Sequence, residues 1–81
     1  MGGDYVINAK RYKYPNLIAE MAKNGDSIMN LAKDLNMNYQ TLSTRLKGAK
    51  SFELPEVVYI INRYGKPLEY LFYSGPKPQA S

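Results

Sequence analysis

The sequence contains neither cysteine nor histidine, and several classes of functional site are thereby excluded. Without cysteine the chain cannot form disulfides, and without both residues it lacks the ligands of the usual zinc sites. Catalytic sets of the Ser-His-Asp or Cys-His type are impossible for the same reason. Clustered carboxylate pairs and phosphate-binding loops are also missing. We therefore predict a protein that is not an enzyme and that binds no metal, cofactor or small-molecule ligand.

Long apolar runs are missing as well. No segment approaches the roughly 20 apolar residues of a membrane-spanning helix. The N-terminal stretch MGGDYVINAKRYKYP lacks the apolar centre of a signal peptide. With 81 residues, the chain has room for one domain and one small core. We expect a cytoplasmic protein with no membrane partner.

Positive charge is concentrated in the first part of the chain, although the net charge is only +4. Residues 10–50 contain eight basic and three acidic side chains, whereas residues 51–81 contain three of each. Such an asymmetry favours an anionic partner, most commonly nucleic acid. Taken alone, it is equally typical of an ordinary solvated surface.

Groups of apolar residues at helical spacing alternate with short runs of turn formers. Only residues 5–7 hint at a strand. The predicted fold class is therefore all-α, a compact bundle of five short helices. The helices are expected to begin near Pro15, Ser27, Asn38, Leu54 and Pro67 and to end near Gly25, Asn36, Gly48, Gly65 and Tyr73.

Helices two and three are predicted to cross at a steep angle with a tight contact. Ala32 is small enough to permit close approach, and Met37 is expected to fill the gap between the helices. The shared apolar wedge is supplied by Leu31, Leu35, Met37, Leu42 and Leu46. This is the pattern of the helix-turn-helix, whose second helix presents its N-terminal residues to the major groove of DNA.

The chain at this point resembles a known family. The stretches YPNLIAEMAKNG, LAKDLNM, TLSTRLKG and YGKPLEYLF are similar to the DNA-binding domain of phage Cro and repressor proteins, the XRE-like family. The resemblance covers about Tyr14 to Phe72. It is closest to short Cro-like regulators of Gram-positive phages and mobile elements. It implies a λ-repressor-like fold and a nucleoid-associated protein that binds operator DNA.

Two residues depart from the family pattern. Asp26 stands where the family usually has an apolar residue, and Ile28 stands where it has a glutamine that contacts phosphate. Ile28 is therefore expected in the core. Phosphate contact would then depend on Ser27, on the backbone amides that begin helix two and on nearby lysines.

The resemblance implies that outward residues of helix three read bases, and their chemistry is suitable. Gln40 can pair with the N6/N7 edge of adenine, and a threonine methyl can pack on a thymine methyl. The alternative is an ordinary solvated helix surface. The candidate base-reading residues are Tyr39, Gln40, Ser43 and Thr44.

Basic and capping residues nearby are candidates for phosphate contact. Asn38 is more simply a helix cap than a base reader, and Arg45 could instead form a surface salt bridge. The candidate phosphate-contacting residues are Ser27, Asn38, Arg45, Lys47 and Lys50.

The segment NAKRYKY before helix one interleaves basic and aromatic residues. Lys10, Arg11 and Lys13 could form an arm that follows the DNA backbone or enters the minor groove. The alternatives are a disordered polar lead-in, or Tyr12 and Tyr14 packed back on the bundle.

The last predicted helix carries more apolar residues than it can bury. Leu68, Leu71 and Phe72 are expected to complete the core, and Tyr70 and Tyr73 to remain outside. The candidate dimer interface is Tyr70, Phe72 and Tyr73, since exposed apolar surface often marks a partner. The alternative is that these rings are merely half-exposed.

The preferred interpretation is a Cro-like repressor that binds a palindromic double-stranded DNA operator as a homodimer. It assigns residues 1–13 to a flexible basic arm, 14–73 to the helix-turn-helix domain and 74–81 to a disordered tail. The alternative is a protein-interaction module that binds and modulates a partner repressor, as an antirepressor does.

Overall fold

In a computed structural model of the protein, residues 11–74 are described, and their regular secondary structure is helical with no strand. The possible strand at residues 5–7, Lys10 and nearly all of the predicted tail lie outside this range. No helix between residues 11 and 74 has the length and apolar character needed to cross a membrane. The helices are α1 (Pro15–Lys23), α2 (Ile28–Asp34), α3 (Tyr39–Lys47), α4 (Leu54–Tyr64) and α5 (Leu68–Leu71).

The helix boundaries follow the capping signals in the sequence. Ser27 Oγ accepts a hydrogen bond of 3.0 Å from the backbone N–H of Asn30 at the start of α2. Asn38 Oδ1 accepts one of 2.8 Å from the N–H of Thr41 at the start of α3. These bonds satisfy amides that the first turn of a helix leaves unpaired. Gly48 ends α3 in the left-handed conformation that glycine adopts readily.

Every helix contributes to one apolar core. Ile28 lies in this core, as predicted, and Ala32 is almost fully buried at the contact between α2 and α3. Among the pairs of helices, α2 and α3 pack most extensively on each other. The large side chains that are completely buried are Leu17, Met21, Leu31, Leu42, Leu46, Ile60 and Leu71.

Three aromatic rings close one side of this core. Tyr14, Phe52 and Phe72 are half-buried, and their ring centroids are 5.3–5.9 Å apart. Tilted and edge-on pairs at such distances are favourable. These contacts hold the ring of Phe72 against the core, as expected, and its contribution to a dimer surface stays a prediction. Leu68, which was expected in the core, is exposed instead.

A buried carboxylate joins the α1–α2 turn to α4. Asp26 accepts four hydrogen bonds, from Nε and Nη2 of Arg63, from the hydroxyl of Tyr64 and from Nδ2 of Asn30. Arg63 also pairs with Asp34 at 2.7 Å. The hydrogen-bonded Arg63 guanidinium holds the pKa of Asp26 down at about 2. Burial, together with the neighbouring Asp26 carboxylate, raises the pKa of Tyr64.

This network accounts for a buried carboxylate at position 26. A buried charge is costly unless it is paired and hydrogen-bonded, and Asp26 has donors on both of its oxygens. The carboxylate at position 26 is therefore stabilised by hydrogen-bond donors in α2 and α4. It fixes the position of α4 relative to the pair formed by α2 and α3.

Candidate nucleic-acid interface

The connection between α2 and α3 presents the beginning of α3 to solvent. Asn36 adopts a positive φ of 61°, and the N–H of Met37 bonds to the carbonyl of Ala32 at 2.9 Å. This tight connection turns the chain directly into the Asn38 cap. Because Leu42 and Leu46 are completely buried, the opposite side of α3 faces outward.

The predicted base-reading residues divide into two groups. Tyr39 is 46% exposed and Gln40 is also exposed, so both side chains at the start of α3 are accessible. Thr44 is half-buried, and its hydroxyl donates a hydrogen bond of 2.8 Å to the carbonyl of Gln40. Its methyl group is the part left for an apolar contact with a base.

The prediction that Ser43 faces outward is wrong. Its exposed fraction is only 7%. Ser43 precedes the buried Leu46 by three residues, and residues three apart lie on the same face of a helix. The side chain therefore points towards the interior and cannot reach a base without rearrangement of α3.

An open groove of about 300 Å³ runs beside the exposed part of α3. Thr41 belongs to it, although the sequence analysis did not select this residue. Its position one helical turn before Arg45 could have indicated the shared face. The groove combines amide, hydroxyl and cationic groups, which suit the oxygens and nitrogens of a nucleic acid. It is lined by Gln40, Thr41, Thr44, Arg45 and Lys50.

Arg45 is bound within the protein. Its Nη1 forms an ion pair with Glu56 of α4, and Glu56 also accepts a 2.9 Å hydrogen bond from the backbone N–H of Glu53. The salt-bridge alternative for Arg45 is thus confirmed, and its prediction as a free phosphate contact is corrected. Its Nε is buried without a hydrogen-bond partner among residues 11–74.

The remaining candidates for phosphate contact are accessible. Lys47 and Lys50 are exposed near the end of α3, and no ion pair engages them within residues 11–74. Ser27 and Asn38 are also exposed, but their side-chain oxygens serve as helix caps. The accessible positive charge beside α3 therefore comes from these two lysines and from exposed Lys13, whose side chain lies against Gly48.

The described part of the predicted arm is attached to the domain. The backbone N–H of Lys13 bonds to the carbonyl of Leu46 at 2.9 Å, which ties the last residue of the predicted arm to the end of α3. Tyr12 and Tyr14 pack against the core, which confirms that alternative for the two rings. Arg11 is exposed next to this attachment.

The predicted dimer residues are more engaged than expected. The hydroxyl of Tyr70 donates a hydrogen bond of 3.2 Å to the buried Glu20, and its carbonyl accepts one of 3.0 Å from Asn16 Nδ2. These bonds fasten α5 to α1. Tyr70 and Tyr73 are nevertheless both exposed, by 37% and 45%, as predicted. Only Tyr70 of the two is tied to α1 through its side chain among residues 11–74.

Comparison of the chain with protein-family models, curated proteins and solved structures finds no match. The function must therefore be inferred from the residues and geometry of this chain.

Proposed function

We propose that this protein is a sequence-specific DNA-binding transcriptional regulator in which α2 and α3 form a λ-repressor-like helix-turn-helix. The observation that carries the proposal is the surface of α3. Accessible Tyr39 and Gln40 begin this helix, and a polar groove with Lys50 at its side follows them. The N-terminal part of a recognition helix is the part that meets base edges in the major groove.

The side chains divide into readers of sequence and contacts to the DNA backbone. Gln40 would pair with the N6/N7 edge of an adenine, and Tyr39 would pack its ring on a thymine methyl or donate its hydroxyl to phosphate. Lys47 and Lys50 would contact phosphates, where charge provides affinity without sequence information. Thr41 joins this set because it lines the same groove.

The regulator would act as a Cro-like repressor. Two copies bound to a palindromic operator would each insert α3 into the major groove, and the bound protein would block access to a promoter. In such a complex the two recognition helices lie about 34 Å apart, one turn of DNA. The protein would then work in the cytoplasm, associated with the nucleoid.

Two observations favour the alternative of a protein-interaction module. Glu56 neutralises Arg45 on the surface of α3, and the net charge of the whole chain is only +4. A module that modulates a partner repressor needs no strong positive field. Salt dependence separates the two functions, because DNA binding weakens through counterion release and an apolar protein contact does not.

The test is titration of the full chain onto a pool of random duplex DNA at two salt concentrations, with sequencing of the retained molecules. Enrichment of one inverted repeat, with weaker retention at higher salt, is the expected result. Absence of retention even at low salt would refute DNA binding and favour the protein partner.

The double variant Lys47→Ala/Lys50→Ala provides the matched control in the same titration. It should keep the preferred sequence, because neither lysine is assigned to a base. It should lower the slope of log affinity against log salt by about 2, which is one unit for each phosphate that a lysine no longer neutralises.

A further inference from the structure

The charged residues of helix α4 point towards neighbouring helices, which is unusual for a helix at the surface of a protein. Such a helix normally buries an apolar stripe and turns its charged residues to solvent. The two charged residues of α4 instead face its neighbours. Glu56 pairs with Arg45 of α3, and Arg63 pairs with Asp26 and Asp34 at the two ends of α2.

The side of α4 that faces away from the core carries no unpaired charge. Arg63 reaches it with Nη1, which bonds to the hydroxyl of Tyr59 at 2.9 Å, but its charge is paired with Asp26 and Asp34. Leu54 is 73% exposed and Val58 is 48% exposed, among the largest exposures of apolar side chains in residues 11–74. Tyr59 is exposed as well. We call this surface the outer face of α4; it consists of Leu54, Pro55, Val58, Tyr59 and Asn62.

We infer that the outer face of α4 pairs with the same face of a second copy of this chain, with the two helices antiparallel about a two-fold axis. A two-fold interface brings one patch onto itself, and a patch without charge does so without repulsion between like charges. A protein of net charge +4 can approach its own copy most readily through such a surface.

The residues that flank α4 complement this arrangement. Exposed Glu53 immediately precedes the helix, and Lys66 follows it by two residues. Antiparallel pairing places Glu53 of each copy towards Lys66 of the other, so each end of the interface joins opposite charges. The helix dipoles of the two copies also oppose each other favourably. Parallel pairing would bring like charges together at both ends.

The size of the surface indicates a weak dimer. An 11-residue helix is about 16 Å long, and its outer face is small beside the roughly 800 Å² per partner of a standard interface. We expect monomer and dimer to coexist at concentrations up to about 1 mM, with DNA favouring the dimer. The role in holding two α3 helices on one operator rests on the proposed function, but the self-association does not.

Sedimentation equilibrium of the full chain without DNA tests the pairing. The mass of the wild type should rise with concentration from one copy towards two. Val58→Glu should weaken this association more than tenfold, because two carboxylates would meet near the axis. Met29→Glu is the matched control, since Met29 is an exposed apolar residue of α2, and it should leave the association unchanged.

A wild type that remains monomeric up to about 1 mM overturns the inference, and the outer face would then serve another partner or another segment of the chain. Equal weakening in the Val58 and Met29 variants overturns it too, as does association that Val58→Glu does not weaken. Circular dichroism of each variant shows that the fold is retained.

Cysteine cross-linking tests the antiparallel geometry. The chain has no cysteine, so Val58→Cys introduces a single thiol at the aliphatic outer-face residue nearest the middle of α4. Two such residues near a two-fold axis lie within reach of a disulfide, which needs Cβ atoms about 4 Å apart. Oxidation should give a covalent dimer with Val58→Cys and not with Met29→Cys; equal yields would contradict the arrangement.

These measurements are independent of DNA. A dimer through α4 that retains no duplex DNA would contradict the proposed function and leave the interface intact. A monomer that still selects a DNA sequence would contradict the interface alone.

Discussion

At the scale of single residues, neighbours decide which polar side chains of α3 are available. Gln40 and Ser43 are both small polar candidates by sequence, yet Gln40 is exposed and Ser43 is buried. Arg45 and Lys50 are both cations beside one groove, yet only Arg45 is paired with Glu56. The accessible chemistry of the helix is therefore an amide, a phenol and lysines.

The first prediction concerns Gln40. Replacing it by alanine should cost about 1–3 kcal/mol of binding at one base position of the operator, the value of a bidentate contact to a base. Its side chain is exposed, so the substitution should leave the free energy of unfolding nearly unchanged. Binding to all single-base variants of the selected operator measures the effect. If the wild type and Gln40→Ala discriminate equally at every position, Gln40 reads no base.

At the scale of elements, the two ends of α3 are held by different means. Its beginning is fixed by the Asn38 cap. Its end is fixed by Gly48 and by the segment before α1, since Lys13 bonds to the carbonyl of Leu46 and lies against Gly48. The orientation of the candidate recognition helix thus depends on the chain that precedes α1.

The second prediction compares two glycines in the left-handed region. Gly25 has φ +72° with open space around a would-be Cβ, whereas at Gly48, with φ +87°, a Cβ would lie 2.7 Å from Cδ of Lys13. Alanine at either position costs about 1–2 kcal/mol of backbone energy. Gly48→Ala should cost about 1 kcal/mol more, because Lys13 must move.

Urea denaturation of the two alanine variants measures this difference. When each variant is combined with Lys13→Gly, the difference in stability between them should become smaller, since the colliding side chain is then absent. Equal decreases in stability for Gly25→Ala and Gly48→Ala would show that the side chain of Lys13 moves away from position 48 at no cost.

At the scale of the whole molecule, ion pairs connect elements that the core alone would hold less specifically. Asp26 and Arg63 join the α1–α2 turn to α4, and Arg45 and Glu56 join α3 to α4. By turning its charges inward, α4 orients the helix pair and leaves its own outer face uncharged. The inward ion pairs of Glu56 and Arg63 thereby account both for the fixed position of α3 and for the surface available to a second copy.

The third prediction concerns stability in acid. The pKa of Asp26 is about 2 in the folded protein, below its ordinary value of 3.8, so the unfolded chain binds more protons between these values. The resulting stabilisation, about 2 kcal/mol, is fully present above pH 4 and is lost as the pH falls through about 2. Asp26→Asn should therefore be less stable than the wild type at pH 6.

Urea denaturation at several pH values checks this dependence. The difference in unfolding free energy between the wild type and Asp26→Asn should shrink between pH 4 and pH 2, because the protonated wild type also lacks the charge. A difference that stays constant over this range would mean that Asp26 is not stabilised as an anion.

The helices and most of the core can be predicted from local sequence patterns. Helix ends are set by prolines, by terminal glycines and by caps such as Ser27 and Asn38. These residues act within one turn of the helix, so their effect can be predicted from neighbouring residues. The buried positions of Leu31, Leu42 and Leu46 likewise follow from helical spacing. The helix boundaries predicted in this way are confirmed to within a few residues.

Which polar residues are free depends on contacts between residues that are distant in the sequence. The pairs Arg45–Glu56 and Asp26–Arg63 join residues 11 and 37 positions apart, and no local pattern signals them. Phe72 packs on Tyr14, far from it in sequence. The uncharged outer face of α4 arises for the same reason, since it exists only because distant partners turn Glu56 and Arg63 inward.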